Sequence, residues 1–383
     1  MDKSSFSKNS PGKLIRVKRG EWAFYPDPLP PSFEPGWEVV EQVSAASRAL
    51  GELAGLIRTA PGAEMFNTLF EIREAIDFTE SAGGGVSVAD VLVYAHGAAA
   101  SGDGVRRAFT VFSAIQRGRR SLADLPLSLS LAQDMSEWLS LTKQTGSRGA
   151  HPGSFRTASS GARAAQEDGP LLREYTPPPE AQMKVALFAF DKFLRHPPRL
   201  PAVVRAALIL FQFNAIRPFS ADNHLIGGLL PGLALFSWRA APFAVSGLGR
   251  WLKERQDEFT RLFFGVVRDG QWAKWIEFCS SAIADRAGAM AAAVADLLAL
   301  RERYIDRLRE GRSSTLLPQL LDELFVTPAI TTKSAAKQLR VTFRAAQLNI
   351  DKLVEAGILL EATGRKRNRV YIAPELISTV DGR

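Results

Sequence analysis

Apolar residues recur at three- and four-residue steps along most of the chain, a spacing that predicts amphipathic helices. The first such run covers residues 37–57, in which Val43, Leu50 and Leu53 fall on one side of a helix. The 203–216 run is apolar nearly all round, so we expect this helix to lie at the centre of the core. The remaining helical runs are 63–78, 181–196, 225–237 and 285–310, with further helices expected between residues 88 and 145.

The C-terminal part of the chain has a different order of elements. Three helices and then two short strands are predicted at residues 316–325, 332–339, 342–356, 358–362 and 369–372. Three helices followed by a hairpin are typical of a winged helix-turn-helix. The pattern in the third helix predicts a buried face that comprises Phe343, Ala346, Ile350, Leu353 and Val354.

The opposite face of this third helix and the turn between the two strands are expected to bind DNA. A recognition helix contacts base edges in the major groove, while a cationic wing contacts phosphates. The candidate residues are Thr342, Arg344, Asn349 and Lys352 on the helix and Arg365, Lys366, Arg367 and Arg369 in the turn. The helix face also carries Ala345 and Leu348, which makes it a weaker signal than the turn. Winged helices also mediate protein contacts, so a protein partner is the alternative for this segment.

Proline and glycine mark the segments that are expected to be non-helical. Four prolines between residues 22 and 31 predict extended backbone. Gly83, Gly84 and Gly85 predict the end of the second helix. Residues 146–156 are rich in glycine and predict a turn or a surface loop.

Composition and charge narrow the class of protein. The formal net charge of +8 is compatible with a polyanionic partner such as DNA. A single cysteine, Cys279, excludes an intramolecular disulfide and a cysteine-cluster metal site, which favours a cytoplasmic location. Residues 1–20 are basic with no apolar run after them, so they predict a mobile tail and no secretory signal. The longest uncharged stretch, residues 223–238, is too short to cross a bilayer, so no membrane partner is expected.

The loop between the helices predicted at 203–216 and 225–237 carries the most specific pattern. It reads Arg-Pro-Phe-Ser-Ala-Asp-Asn-His-Leu from residue 217 to residue 225 and continues as Ile-Gly. This segment resembles the signature of the Fic/Doc (Fido-fold) family, His-Pro-Phe-x-Asp/Glu-Gly-Asn-Gly-Arg followed by Ile-Gly. The residues that match include Pro218, Phe219, Asn223 and Gly227. The residues that depart from it are Arg217, Ala221, Asp222, His224 and Leu225.

The resemblance implies transfer of AMP from ATP to a protein hydroxyl, and the departures argue against it here. In the family the His accepts a proton, the acid holds Mg²⁺ and the Arg neutralises phosphate charge. Arg217 cannot act as a base because its guanidinium stays protonated. Ala221 offers no oxygen ligand to Mg²⁺. The expected site is therefore a degenerate remnant of a nucleotide pocket, with no metal and no cofactor.

Two further segments resemble parts of the same family. Gly153, Phe155 and Arg156 resemble the end of the flap, the hairpin that holds a target segment, although a surface loop explains them equally well. Alignment on Glu74 and Gly83 places Ala82 where many members have an inhibitory Glu that pairs with the signature Arg. Both partners of that pair are absent here.

The predicted fold is an all-α Fido-type helical core with a small β-hairpin flap, plus a C-terminal winged helix-turn-helix. The expected segments are a mobile basic tail at 1–20, a Fic-type N-terminal helical segment at 21–100, a Fic-like core at 101–284, a connecting helix at 285–312 and the winged helix-turn-helix at 313–376.

The sequence leaves two functions open. The first is a catalytically inactive Fic-family protein that regulates by binding DNA or by acting as a scaffold, with a protein target or a dimer partner. The alternative is a divergent adenylyltransferase that uses ATP and Mg²⁺, with His224 or a group of the target as base.

Overall fold

A computed structural model describes residues 1–17, 21–62, 64–79, 85–141, 153–157, 172, 174–244, 248–309 and 316–381. The chain forms two compact units, each discontinuous in sequence. The first comprises Met1–Gly51 and Ser113–Ala287, and the second comprises Glu52–Phe112 and Gly288–Arg383. No helix within the described ranges combines the length and the apolar character needed to cross a bilayer.

The described residues are predominantly helical, as the sequence predicts. The first helices are α1 (Trp37–Ile57), α2 (Asn67–Thr79), α3 (Val88–Ala95), α4 (Asp103–Asp124), α5 (Leu129–Leu141), α6 (Glu180–Arg195), α7 (Ala202–Ile216) and α8 (Asn223–Ser237). The remaining helices are α9 (Leu248–Glu254), α10 (Gln256–Asp269), α11 (Trp272–Arg309), α12 (Leu317–Val326), α13 (Thr332–Leu339), α14 (Phe343–Glu355) and α15 (Pro374–Asp381). The long helix α11 begins well before residue 285, where the apolar pattern places its start.

Helix α7 forms the centre of the first unit, as its apolar sequence predicts. Every residue from Ala206 to Ile216 is buried. On one side α7 packs against α8. On another side Phe211 meets Trp272 and Trp275, with ring centroids 4.7 Å and 5.9 Å apart. The indole Nε1 of Trp275 donates a hydrogen bond of 2.9 Å to the Ala207 carbonyl, so this large aromatic residue is fixed against the central helix.

The first unit also contains a two-stranded antiparallel sheet that corrects one prediction. Strand β1 (Gly12–Arg16) pairs with β2 (Trp22–Pro26), and Leu14 lies opposite Phe24. The preceding residues are attached as well, since the Ser7 amide donates to the Arg268 carbonyl at 2.9 Å. Residues 1–17 are therefore not the mobile tail expected from their charge. Backbone pairing between strands depends on register and apolar contacts, which a count of basic residues does not reveal.

The C-terminal part of the second unit contains a three-stranded antiparallel sheet. Its strands are β3 (Ala329–Thr331), β4 (Leu360–Glu361) and β5 (Val370–Ile372), in the spatial order β3-β5-β4. The apolar pattern predicted β4 and β5 and missed β3, because three residues are too few to show an alternating period.

Helix α14 buries a narrower face than the pattern predicts. Ala346, Asn349, Ile350 and Leu353 are buried, whereas Phe343 is 63% exposed and Val354 is 37% exposed. At about 100° per residue, Phe343 and Val354 both fall on one edge of the buried arc. Asn349 falls at the other edge of the buried arc and is only 6% exposed, which corrects its placement on the exposed face.

Candidate functional site

The signature loop, residues 217–222, joins the end of α7 to the start of α8. Helix α7 stops at Arg217, which has a left-handed backbone with φ of 46°, and its amide donates to the Phe213 carbonyl at 2.8 Å. Helix α8 starts after Asp222, which is also left-handed with φ of 61°. Asp tolerates this conformation better than most residues, and the family motif has glycine at the same position.

Phe219 is the best-fixed residue of this loop. The Asn223 side chain bonds to both backbone groups of Phe219, accepting from its amide and donating to its carbonyl at 2.9 Å each. Phe155 forms a β-bridge with Phe219, and the two rings stack at 5.7 Å. Phe219 and Asn223 are 1% and 0% exposed, so this arrangement belongs to the core.

Arg156 binds the C-terminal end of α7. Its Nε donates to the Arg217 carbonyl at 2.7 Å, and its Nη2 donates to the carbonyls of Ile216 and Pro178 at 3.2 Å and 2.5 Å. The last carbonyls of a helix lack intrahelical partners and carry partial negative charge, which a guanidinium satisfies. Burial, with a smaller contribution from Arg217, lowers the pKa of Arg156 to about 10. The side chain therefore remains charged at neutral pH.

Tyr175 completes this cap and is absent from the residues predicted for the site. Its hydroxyl donates to the Ala215 carbonyl at 2.6 Å. Burial raises the pKa of the Tyr175 phenol, while Arg217 and Arg156 oppose the rise. Tyr175 lies two residues before three prolines, and no local sequence pattern marks it as the cap of a distant helix.

Gly227 sets the distance between α7 and α8. A Cβ atom at this position would lie 2.9 Å from Cδ1 of Phe213 and 3.0 Å from Nδ2 of Asn214. Both neighbours are buried, and Asn214 Nδ2 already donates to the Leu210 carbonyl at 2.8 Å. The glycine of the motif is therefore required here for close helix packing, independently of any ligand.

The substituted positions of the motif are mostly enclosed. Arg217 and Leu225 are each 3% exposed and Asp222 is 8% exposed, whereas Ala221 and His224 are half-buried. Ala221 offers a methyl group where Mg²⁺ needs an oxygen, and Leu225 is part of the apolar core where the family has a cation. These residues do not fit a triphosphate with bound Mg²⁺. Within the described ranges, no group of three or more His, Cys, Asp or Glu side chains is placed to hold a metal ion.

The structure brings together only some of the residues predicted for this site. Phe219, Asn223, Phe155 and Arg156 are connected through the contacts above, and the Arg156 amide donates to the Pro218 carbonyl at 2.8 Å. Gly227 joins them through Phe213, whose ring centroid lies 6.1 Å from that of Phe219. Gly153 is left-handed with φ of 73° and packs against Glu137, where a Cβ would lie 2.9 Å from that of Glu137. Ala82 and most of the predicted flap lie outside the described residues.

The predicted DNA-binding residues all lie in the second unit, and all but one are exposed. Thr342 caps α14 by accepting from the Ala345 amide at 3.2 Å, and Arg344 and Lys352 are exposed on that helix. Asn349 is 6% exposed, and its Nδ2 donates to the Ala345 carbonyl at 2.8 Å. The exposed residues of the turn are Arg365, Lys366, Arg367 and Arg369.

No protein-family profile matches the chain. A solved Fic family protein from Desulfovibrio desulfuricans is similar in structure, with a TM-score of 0.52 and 14% sequence identity over 90% of this chain and 98% of that chain. Fic-1 from C. elegans (residues 134–508) gives a TM-score of 0.48 and 13% identity over 67% of this chain and 73% of that chain. The similarity to the Desulfovibrio protein extends over nearly the full length of both chains, and it shows that this chain has the fold of Fic family proteins.

Proposed function

We propose that this Fic-fold protein binds DNA through residues 317–372, as a winged helix-turn-helix, and that its core does not transfer AMP. The observation that carries the proposal is the distribution of exposed charge on this segment. Its acidic residues are Asp322, Glu323, Asp351, Glu355 and Glu361. Its exposed cations are Lys333, Lys337, Arg340, Arg344, Lys352, Arg365, Lys366, Arg367 and Arg369. Such an excess of exposed cations favours a polyanion.

The order of elements supports DNA among the polyanions. Helices α13 and α14 are joined by a short turn in which Arg340 is left-handed with φ of 54°, and α14 follows directly after the Thr342 cap. The antiparallel strands β4 and β5 then present the turn at 362–369 as a wing. In winged helices the second helix of the pair enters the major groove while the wing contacts the backbone.

The wing is held in a defined shape by its own hydrogen bonds. The Glu361 carboxylate accepts from the amides of Thr363 and Gly364 at 2.9 Å each. The Nε of Arg369 donates to the Arg365 carbonyl at 3.0 Å across the turn. The cations are thus displayed on an ordered turn, which lowers the entropic cost of binding.

Loss of AMP transfer is supported by the residues at the signature loop. A transferase of this kind needs a proton acceptor and a Mg²⁺ ligand, and positions 217 and 221 supply a guanidinium and a methyl group. Position 225 supplies a buried leucine. When several cooperating groups are missing together, the residual rate is very low.

The test of DNA binding is a mobility-shift titration of the full chain on random-sequence duplexes at several salt concentrations. Binding at low salt that weakens steeply as salt rises is expected. Changing Arg365, Lys366 and Arg367 together to Ala should weaken binding to all sequences alike and reduce the salt slope by about 0.9 for each phosphate that is no longer neutralised. A matched control removes the exposed cations Lys184, Lys192 and Arg195 of α6 and should leave binding nearly unchanged. Absence of binding at low salt, or equal losses in the two triple variants, contradicts the proposal.

The test of the core is incubation of the purified chain with labelled ATP, Mg²⁺ or Mn²⁺, and a cell lysate. The proposal expects no labelled protein. Label on any protein hydroxyl that depends on His224 supports the alternative function, an adenylyltransferase.

A further inference from the structure

The exposed part of α14 contains two large apolar side chains that are not buried in the core of the protein. Phe343 is 63% exposed and Leu348 is 56% exposed, although Ile350 and Leu353 of the same helix are fully buried. Phe343 is the first residue of the helix, directly after the Thr342 cap. In helix-turn-helix proteins this N-terminal half of the second helix contacts base edges.

We propose that Phe343 and Leu348 read the 5-methyl group of a pyrimidine in the major groove, an inference that rests on the proposed DNA binding. The methyl group of thymine is the apolar group that the major groove presents, and apolar side chains contact it directly. Thymine and 5-methylcytosine carry this methyl group at the same position, so either base could be recognised by these two side chains.

The amide side chains on this helix, which would otherwise read adenine, are committed to other contacts. Gln347 accepts from Thr332 Oγ1 at 2.7 Å and donates from Nε2 to Asp351 Oδ1 at 2.7 Å and to the Tyr371 hydroxyl at 3.2 Å. Asn349 is buried and donates to the Ala345 carbonyl. A bidentate contact with adenine requires a free amide. The side chains left at the N-terminal half of the face are Phe343, Arg344 and Leu348.

The charge around the two apolar residues favours DNA over a protein as the occupant of this face. Arg344 follows Phe343 in sequence and Lys352 lies one turn after Leu348, while Asp351 and Glu355 are exposed on the same helix. The excess of cations therefore comes from the segments that flank the helix. Arg340 lies in the turn before this helix, and the cationic wing belongs to the same unit. A concentration of cations on both sides of the apolar pair matches a groove that lies between two phosphate chains.

The affinity for DNA should depend on the methyl groups of particular pyrimidines. Replacing thymine by uracil removes one methyl group and changes no hydrogen-bonding atom of the base pair. Burial of one methyl-sized group corresponds to about a fourfold change in affinity. We therefore expect about a threefold to fivefold loss at each pyrimidine that Phe343 or Leu348 contacts, and none elsewhere.

The experiment uses the full chain and a duplex selected by it from a randomised pool. Each thymine is replaced in turn by uracil, and each cytosine by 5-methylcytosine, and dissociation constants are measured at one salt concentration. For the wild-type chain, one or two positions should show this several-fold preference for the methylated base. For Phe343→Ala, the preference should disappear at one of these positions and persist at the other. Leu348→Ala should give the reverse pattern.

Leu125→Ala is the matched control, because Leu125 is also 63% exposed and lies in the other unit. It should retain the full methyl preference. Far-ultraviolet circular dichroism and the urea midpoint check that each variant is folded. A preference seen only with 5-methylcytosine supports the inference with methylated DNA as the source, and one seen with thymine supports it with ordinary DNA.

Three outcomes overturn the inference, and they are distinguishable. If the chain binds duplex DNA with equal affinity for uracil and thymine and for cytosine and 5-methylcytosine at every position, methyl readout is wrong while DNA binding stands. If no duplex is bound at low salt, the proposed function fails as well. If Phe343→Ala and Leu348→Ala leave the methyl preference intact but change the mass measured by light scattering, the face is a protein interface.

Discussion

Asn223 holds Phe219 by both of its backbone polar groups, and this pair closes the loop between α7 and α8. The two hydrogen bonds, each 2.9 Å long, span four residues and are completely buried. They give the Phe219 amide and carbonyl the partners that a regular element would otherwise supply. The match to the family motif at position 223 is thus explained by the geometry of the loop alone.

We expect Asn223→Ala to lower the free energy of unfolding by about 2–4 kcal/mol, because it leaves a buried amide and a buried carbonyl without this partner. Asn349→Ala is the comparison. Asn349 is also buried in a helix, but its Oδ1 has no hydrogen-bond partner among the described residues, so a loss below about 1 kcal/mol is expected. Urea unfolding followed by circular dichroism measures both. A loss below about 1 kcal/mol for Asn223→Ala as well would show that the loop does not depend on the Asn223 side chain.

Gly227→Ala should also destabilise the first unit. The added Cβ would lie 2.9 Å from the Phe213 ring and 3.0 Å from Asn214, so α7 and α8 would have to move apart, at a cost of about 1–3 kcal/mol. Gly51→Ala in α1 tests the opposite case, since nothing lies within 4 Å of the Cβ that would be added there. That substitution should stabilise the helix by about 0.5–1 kcal/mol. Opposite shifts in the urea midpoint are expected, and stabilisation by Gly227→Ala would contradict the close packing of the two helices.

The sequence predicts the regular helices well, but it does not predict the contacts between segments that are distant along the chain. Periodicity placed α1 at its observed bounds and identified α7 as central, because both signals lie within one short window. The caps supplied by Arg156 and Tyr175 depend on residues about 40 to 60 positions from the carbonyls they bind. A polar residue beside an apolar face predicts exposure, but Asn349 is buried because its Nδ2 donates to the Ala345 carbonyl of its own helix. Phe343 shows the opposite case, since the apolar pattern predicts burial and the side chain is 63% exposed.

Tyr175 should cause the free energy of unfolding to fall as pH rises into the alkaline range. Burial raises the pKa of the Tyr175 phenol in the folded chain, whereas the phenol of the unfolded chain has a pKa of about 10. As pH rises, the unfolded chain therefore loses this proton before the folded chain does. The stabilisation is therefore complete below about pH 10 and is lost as pH rises above that value. Between about pH 9 and pH 11 the wild type should lose about 1.4 kcal/mol more unfolding free energy than Tyr175→Phe, which retains every other titrating group. Urea midpoints measured at closely spaced pH values provide the test, and parallel curves for the two proteins would refute the buried, protonated state of Tyr175.

Leu225 provides the sharpest test of whether the core retains a phosphate-sized space. The family motif has an arginine here, but Leu225 is 3% exposed within the apolar core. If that space is filled, Leu225→Arg must bury a charge without a partner and should cost about 3–5 kcal/mol, whereas Leu225→Met should cost less than about 1.5 kcal/mol. The combination of Arg217→His, Ala221→Asp and Leu225→Arg should then be poorly folded and should transfer no label from ATP. If the arginine variant is as stable as the methionine variant, the core has an open anion site, and the triple variant becomes the experiment that shows whether the fold still supports nucleotide transfer.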